Sequence, residues 1–295
     1  MLNEYTVFHK LDYNYDRNFD QIAEHFARKV YGGLKGEIRL AVLRRDLLGI
    51  EKKLIESLER PLKVLDVGAG LAQLSLELAS RGHDVTVNDI SREMLKHAQN
   101  EATMLGLKDE MVWHVCPYQA LDARIESETF DLILCHALLE WLASPADIFP
   151  FFQRWLAPHG KLSLCFYNPA SFIYRNLIMG NFKLLDSVAD DASTSTNAND
   201  KNRSRYQYQA DAKKDIQKSL TPNNPVTFVE VSDWLDEVNL QVCEVSGLRV
   251  FHDYAPLKRG GHAYPDEVVR MEVRYSNQEP YKWLGRYLHV VAEKK

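Results

Sequence analysis

Hydrophobic residues recur along this chain in two rhythms, and the change from one to the other divides it. Between about Asp20 and Tyr31, Ile22, Phe26 and Val30 fall four apart, the stripe of an amphipathic helix that Gly32 and Gly33 stop. A second helix is predicted from about Gly36 to Leu58, with Leu40, Leu43, Leu47, Ile50 and Leu54 on one face, and Pro61 marks the next boundary. Beyond it, short apolar runs alternate with helical stretches: KVLDVGAG, LAQLSLELASRG, DVTVNDIS and REMLKHAQNEATMLG. MVWHVCP, FDLILCHALLEW, a helix from about Ala146 to Leu156 and KLSLCFYN continue the series. This βαβα order predicts an α/β fold, a Rossmann-like doubly wound and mostly parallel sheet of at least five strands.

The pattern collapses between about Asp186 and Asn224 into polar residues, which reads as a mobile insertion on the substrate side of the sheet. Within it, Lys201 to Lys218 carries six basic residues (Lys201, Arg203, Arg205, Lys213, Lys214, Lys218) against Asp211 and Asp215, with Tyr206 and Tyr208 between them. A solvated linker and a contact to a phosphate backbone both fit that composition. Order then returns: VSDWLDEVNLQVCEVSGLRVFHDY predicts a helix followed by a strand ending in a polar cluster. Asp266 to Tyr275 is helical in pattern, and RYLHVVAEK a closing strand.

Composition narrows the function classes. The chain of 295 residues is 45% hydrophobic and 26% charged, and it contains no apolar run of the roughly 18 residues that a membrane span needs. Its opening residues lack the apolar core and cleavage site of a secretory signal, so a cytoplasmic protein is expected. The four cysteines, Cys116, Cys135, Cys165 and Cys243, form no CxxC pair; buried thiols are expected, with neither a metal site nor a disulfide framework. The net charge of −5 gives no global attraction to nucleic acid, so such a partner would need a local basic patch.

The chemistry concentrates at Val64-Leu65-Asp66-Val67-Gly68-Ala69-Gly70, an apolar strand running into a glycine-bearing turn and then a helix. Gly68 and Gly70 allow a tight turn and close approach of a ligand to the backbone, at the strand end where α/β sheets place ligands. A dinucleotide fingerprint would put a third glycine where Gln73 stands. Asp89 ends the next strand 19 positions after Gly70, where a carboxylate can accept both ribose hydroxyls. With Asp66, the D-x-G-x-G form resembles the first motif of S-adenosylmethionine (SAM)-dependent methyltransferases, which favours SAM over NAD. Residues 1–60 then read as an N-terminal helical extension covering the cofactor site, and 61–295 as the Rossmann-like domain. His136 ends the fourth strand and reads either as a packed, hydrogen-bonded histidine or as a contact to cofactor or target. Glu140 and Trp141 read as structural.

Beyond these generic motifs, the chain resembles the bacterial tRNA 5-carboxymethoxyuridine methyltransferase family over nearly its whole length. The resemblance rests on DRNFDQIAEHFARKVYGGLKGEIR, LDVGAG, CHALLEWLASP, LSLCFYN, GNF at 180–182, GLRVFHDY at 247–254 and RYSNQEPYKWLGRYLHV. It implies methyl transfer from SAM to the carboxylate of 5-carboxymethoxyuridine at the tRNA wobble position, giving the methyl ester, with the anticodon loop as partner. It also implies cofactor contacts at Arg39, Gly68, Ala69, Asp89, Tyr118, Gln119 and His136, to which the turn adds Gly70. Two departures stand out. The family's glycine run is Gly-Ala-Gly here, and the basic loop is longer and different, so its tRNA contacts do not carry over.

A carboxylate, which ordinarily titrates at roughly pH 4, is already ionised at neutral pH and needs no general base. Catalysis then rests on alignment and on excluding water. Arginine suits a carboxylate because its planar fork binds both oxygens. Arg249 with His252 and Tyr254 leads as the target pocket, and Arg286 with Tyr287 comes second; a strand end with solvated polar residues is the competing reading of RVFHDY. At this point two other functions stand beside the tRNA enzyme, because a fold does not fix a function: a methyltransferase of a small-molecule acid or other metabolite, and a catalytically silent SAM-binding protein that recognises RNA or a partner.

Overall fold

A computed structural model of the chain describes residues 16–26, 32–125, 129–185, 222, 224–255 and 264–295. Its strands are β1 Lys63–Val67, β2 Asp84–Asp89, β3 Val112–Val115, β4 Phe130–His136, β5 Leu156–Tyr167, β6 Leu240–Leu248 and β7 Tyr287–Lys294. They form one seven-stranded sheet in the order β3-β2-β1-β4-β5-β7-β6. The first five pair in parallel, and β7 pairs antiparallel with both β5 and β6. The expected doubly wound, mostly parallel sheet is therefore present, and the two strands predicted near the end of the chain join it as β6 and β7.

Helix α1, Leu34–Leu58, follows a short turn of helix at Asp20–Ile22 and Ala23–Phe26; the remainder of the first predicted helix, 27–31, lies outside the described residues. Helices α2 (Gln73–Ser80), α3 (Arg92–Met104), α4 (Phe149–Trp155), α5 (Pro169–Ile178), α6 (Phe228–Glu237) and α7 (Pro265–Tyr275) complete the layers. Successive strand residues point to opposite faces, so the sheet builds two cores at once. Leu65, Ile133, Leu164 and Val290 pack with Phe149, Phe152, Val231 and Leu235 on one side. Val64, Leu132, Cys165 and Val291 pack with Val42, Leu47, Leu78 and Leu95 on the other. The buried stripe of α1 runs Ile38, Val42, Leu43, Leu47, Ile50, Leu54, which matches the predicted apolar face.

Local chemistry explains several boundaries. The Ser91 hydroxyl accepts the Met94 N–H at the start of α3, and Thr227 and Glu230 form a reciprocal capping box at the start of α6. Strand β5 begins earlier than expected, running through Pro158-His159-Gly160, because Gly160 lets the Phe130 carbonyl come close: a Cβ there would sit 2.8 Å from it. The β4–β5 register shifts at that point, between Phe130 and Leu132. Cys116, Cys135 and Cys165 are buried as expected, but Cys243 is exposed. It lies on the edge strand β6, where the register shifts between Val242 and Glu244 and that stretch of strand turns toward solvent. The basic segment from Lys201 to Lys218 lies outside the described residues; of the predicted insertion 186–224, only Pro222 and Asn224 fall within them. Asn224 is anchored to the loop after β4, where its amide donates to the Leu142 carbonyl at 2.7 Å and its backbone N–H to Glu140 O at 2.9 Å. Among the described residues no helix is long and apolar enough to cross a membrane.

Candidate functional site

The carboxyl ends of β1, β2 and β4 converge on one cleft, and its floor is the turn after β1. Gly68 and Gly70 both adopt left-handed backbone angles, with φ of 69° and 57°, which costs little only without a Cβ. A Cβ on Gly68 would also meet the Leu138 methyls at 2.8 Å. The Ala69 N–H donates to the Asn88 carbonyl at 2.9 Å, pinning the turn to the tip of β2. Just behind it, buried Asp66 accepts the Ser75 hydroxyl at 2.6 Å and so ties strand β1 to helix α2. Burial pushes its pKa up to about 7 in spite of that hydrogen bond, and neighbouring Asp89 adds to the shift.

Asp89 is held by the same turn. One carboxylate oxygen accepts the Gly70 N–H at 2.8 Å and the other the Ser91 N–H at 2.7 Å. Burial nevertheless lifts its pKa to about 6. The Asn88 side chain, donating to Cys116 O at 2.8 Å, fixes the strand end beside it.

The cleft, whose roughly 750 Å³ of free space runs out into open solvent, has walls that include Ile90, Met94, Pro117, Tyr118, Leu138 and Trp141. A segment from the start of the described chain closes one side. There, Asp16 accepts the Ala143 N–H at 2.9 Å and the Arg17 N–H donates to Trp141 O at 3.0 Å. The Arg17 guanidinium lies over the Trp141 ring at 5.0 Å, with Phe19 edge-on to that ring at 5.1 Å. Arg39 of α1 enters the opposite end, buried and stacked 4.5 Å from the centre of the Tyr287 ring. His136 lines the same end, and burial, His289 and Arg39 together push its pKa down to about 3, so it is a neutral ring.

The structure therefore brings Arg39, Gly68, Ala69, Gly70, Asp89, Tyr118 and His136 to one cleft, but not Gln119. The Gln119 amide turns away to donate to Asp16 at 2.9 Å, so it braces the segment that closes the cleft. Trp141, read from the sequence as structural, is part of the wall. Glu140 is almost wholly buried, as that reading expected. Asp16, Arg17 and Phe19 were not singled out because nothing periodic marks them, although they open the DRNFDQIAEH stretch that carries part of the resemblance.

The five substrate candidates occupy a neighbouring layer, and none lines the cleft. Arg249 pairs through one terminal nitrogen of its guanidinium with Asp253. Glu272 of α7 accepts the N–H groups of Val250, Phe251 and His252 at 2.7, 3.1 and 2.7 Å, which fixes this loop from below. His252 is buried with Nδ1 3.1 Å from Asp253. The Tyr254 hydroxyl donates to Leu284 O at 2.6 Å. Arg286 sits 3.9 Å from Asp253, with its guanidinium 4.7 Å from the centre of the Tyr167 ring. The Tyr287 ring joins this layer to the cleft, between Arg39 and Arg249, whose guanidinium is 5.9 Å away.

Comparison with known proteins places this arrangement. Residues 65–164, from β1 to the middle of β5, match the methyltransferase domain family. The tRNA 5-carboxymethoxyuridine methyltransferase of Escherichia coli strain K12 is 37% identical over 279 residues, covering 95% of this chain and 97% of that one. This chain belongs to that family. A ubiquinone biosynthesis O-methyltransferase from Psychrobacter cryohalolentis is 39% identical, but over only 38% of the chain and 44% of its own length. The solved magnesium protoporphyrin IX methyltransferase from Synechocystis, with bound SAH, aligns over 98% of this chain and 100% of its own at a TM-score of 0.53 and 13% identity, a likeness of fold.

The family member is thus a SAM-dependent methyltransferase, and its cleft fits the cofactor. Gly68 and Gly70 hold left-handed angles under the cleft and make room for the Leu138 and Met94 side chains that form its walls. Asp89 presents a carboxylate at the strand tip, where it would accept hydroxyl donors, and the Tyr118, Met94 and Leu138 walls are apolar. Arg39 places a cation at the far end of the cleft, of the charge that would hold a carboxylate.

Proposed function

We propose that this protein methylates the carboxylate of 5-carboxymethoxyuridine at the wobble position of tRNA, giving the methyl ester. The observation that carries the reading is the pairing of a full-length relationship to an enzyme named for that substrate with a site suited to an acceptor that arrives ionised. His136, the histidine lining the cleft, is held neutral at a pKa of about 3, too low to draw a proton from an acceptor near pH 7. Both oxygens of Asp89 are engaged by backbone N–H groups, and Asp66 faces Ser75 behind the turn. A carboxylate needs none of them as a base.

When bound, SAM supplies an electrophilic methyl group. The residues of the chain bind, orient and exclude water. Arg39 would hold the methionine carboxylate of the cofactor and Asp89 its ribose hydroxyls, with Arg17, Phe19 and Trp141 closing the cleft beside them. Arg286 takes the substrate carboxylate in this reading. It lies at the carboxyl end of β5, where its backbone carbonyl accepts the Asn168 N–H at 3.0 Å, and the Tyr167 ring holds its guanidinium flat. Arg249, His252 and Tyr254 shape the loop around Asp253 so that Arg286 keeps its position. Tyr287 transmits the position of that layer to Arg39. The anticodon loop would lie across the carboxyl ends of the strands, and the compartment is that of tRNA, the cytoplasm.

The test is transfer of labelled methyl from SAM into total tRNA compared with a tRNA-free metabolite extract. Label in tRNA alone supports the proposal. Label only in the extract would establish the small-acid reading instead.

A further inference from the structure

Two carboxylates line the cleft among the described residues: Asp89 at the tip of β2, and Asp16 from the segment that closes one side. Asp16 is held from two directions. One of its oxygens accepts the Ala143 N–H at 2.9 Å, in the loop after β4, and the other accepts the Gln119 side-chain amide at 2.9 Å, in the loop after β3. The chain is pinned again at Asp20, where one carboxylate oxygen accepts the Ser91 hydroxyl at 2.7 Å and the Glu93 N–H at 3.0 Å at the start of α3. This short segment thus ties together the loops after β4, β3 and β2, with Asp16 fixed between the first two.

The order of the strands sets what lies at each point of the cleft. Strands β3, β2, β1 and β4 stand side by side, and Arg39 shares its end of the cleft with His136 at the tip of β4. A cofactor with its carboxylate on Arg39 and its ribose hydroxyls on Asp89 therefore runs from the β4 side across β1 to β2, and its base comes to the end of β3. Pro117, Tyr118, Ile90 and Leu142 line the cleft there, apolar surface for the faces of a flat ring. Such walls hold a ring without reading its edge. Adenine carries ring nitrogens that accept hydrogen bonds and one exocyclic amine that donates. An ionised carboxylate only accepts, so the amine is the group on that edge it can take. A carboxylate has about four lone-pair sites, and the two hydrogen bonds to Asp16 leave room for a further donor.

We propose that Asp16 reads the exocyclic amine of the cofactor's adenine, with Gln119 as the positioning residue that braces its carboxylate. The Gln119 side chain then acts on the cofactor through Asp16, which accounts for its turning out of the cleft. The inference rests on the cleft being the SAM site, in the orientation set by Arg39 and Asp89, and not on the identity of the methyl acceptor.

The test is calorimetric titration of the full chain with two ligands, S-adenosylhomocysteine and its 6-deamino analogue, in which a hydrogen replaces the amine and nothing else changes. The wild type should prefer S-adenosylhomocysteine by about tenfold to hundredfold, the range for a hydrogen bond to a charged group. In Asp16→Ala that preference should shrink to about threefold or less, since no charged acceptor meets the amine. Gln119→Ala keeps the carboxylate but removes its brace, and its preference should fall between the two. The ratio of affinities decides, because a variant that only loosens the segment weakens both ligands alike. The same preference in Asp16→Ala as in the wild type overturns the proposal, and an unchanged preference in Gln119→Ala overturns the part given to Gln119. A wild type that binds both ligands equally overturns the proposal even if neither variant folds. Failure of the wild type to bind either ligand would refute the cofactor site itself, and the proposal with it.

Discussion

Replacing Asp89 with asparagine separates what this carboxylate does for the fold from what it does for the cofactor. In the free protein it accepts two backbone N–H groups, at 2.8 and 2.7 Å, yet burial lifts its pKa from 3.8 to about 6. A rise of that size, at about 1.4 kcal/mol for each tenfold change in proton affinity, means that its charge costs the folded state about 3 kcal/mol at neutral pH. Asparagine relieves that cost. It also turns an amide NH₂ toward one of the two backbone donors, at about 1–3 kcal/mol. The two effects nearly cancel, so the thermal midpoint of the free protein should move by only a few degrees. The cofactor has no such compensation, since the ribose hydroxyls lose a charged acceptor worth roughly 1.5–3 kcal/mol, or about tenfold to hundredfold in SAM affinity. Calorimetric titration with SAM and thermal unfolding of the free protein measure the two effects separately. Wild-type affinity in Asp89→Asn would refute the ribose assignment; a matching collapse of stability would show that the carboxylate serves the fold alone.

Other expectations follow from the same geometry. SAM binding should weaken as pH falls through about 6, because the ribose donors need an ionised Asp89; a flat affinity from pH 5 to 7.5 would contradict this. Stability of the free protein should run the other way. Asp66, Asp89 and Glu140 are raised by burial to about 7, 6 and 7, so between pH 4 and 7 the folded state holds more protons than the unfolded. On their account the urea midpoint should decline as pH rises through that window. Arg39→Gln should weaken SAM binding by about tenfold or more, through loss of a charged hydrogen bond to a carboxylate, and calorimetry would expose the error if affinity held. Arg286→Ala should lower kcat/KM for tRNA about tenfold to hundredfold at near-normal SAM affinity. Arg249→Ala should lower stability as well as tRNA methylation, by about 1.5–3 kcal/mol for the loss of one charged hydrogen bond, since Asp253 keeps His252 and Arg286 beside it. Denaturant titration of the two variants distinguishes the roles.

Local signals made the cofactor end of the site legible. An apolar strand, two glycines and a carboxylate one strand later are constraints of short range, and the structure puts Gly68, Gly70 and Asp89 where that pattern implied. Contacts made by distant segments carry no such mark. Asp16 and Gln119 stand 103 residues apart and meet only because the chain folds back over the cleft, so the hydrogen bond between them could not be read from either stretch of sequence. Arg249 looked like a substrate anchor because its neighbour Asp253, one helical turn on, could not be placed as its partner without the loop. The hydrogen bonds that link His136 through Ser163 and His289 to Asp46 were invisible for the same reason. Asp46, Ser163 and His289 each look like an ordinary polar interruption of an apolar stripe, and only the register of β4, β5 and β7 aligns them. Likewise β6 and β7 showed their apolar runs but not their antiparallel pairing, which depends on which edge of the sheet each strand reaches.

Everything said of the substrate depends on the acceptor being a carboxylate on the wobble nucleoside of tRNA. To test it, the protein and SAM are incubated with tRNA from a strain lacking this gene; the tRNA is then digested and its nucleosides analysed by mass spectrometry before and after mild base. One added methyl on 5-carboxymethoxyuridine that base removes is the expected result. Intact SAM binding with no methylated tRNA nucleoside, or a base-stable methyl elsewhere in the tRNA, would contradict it.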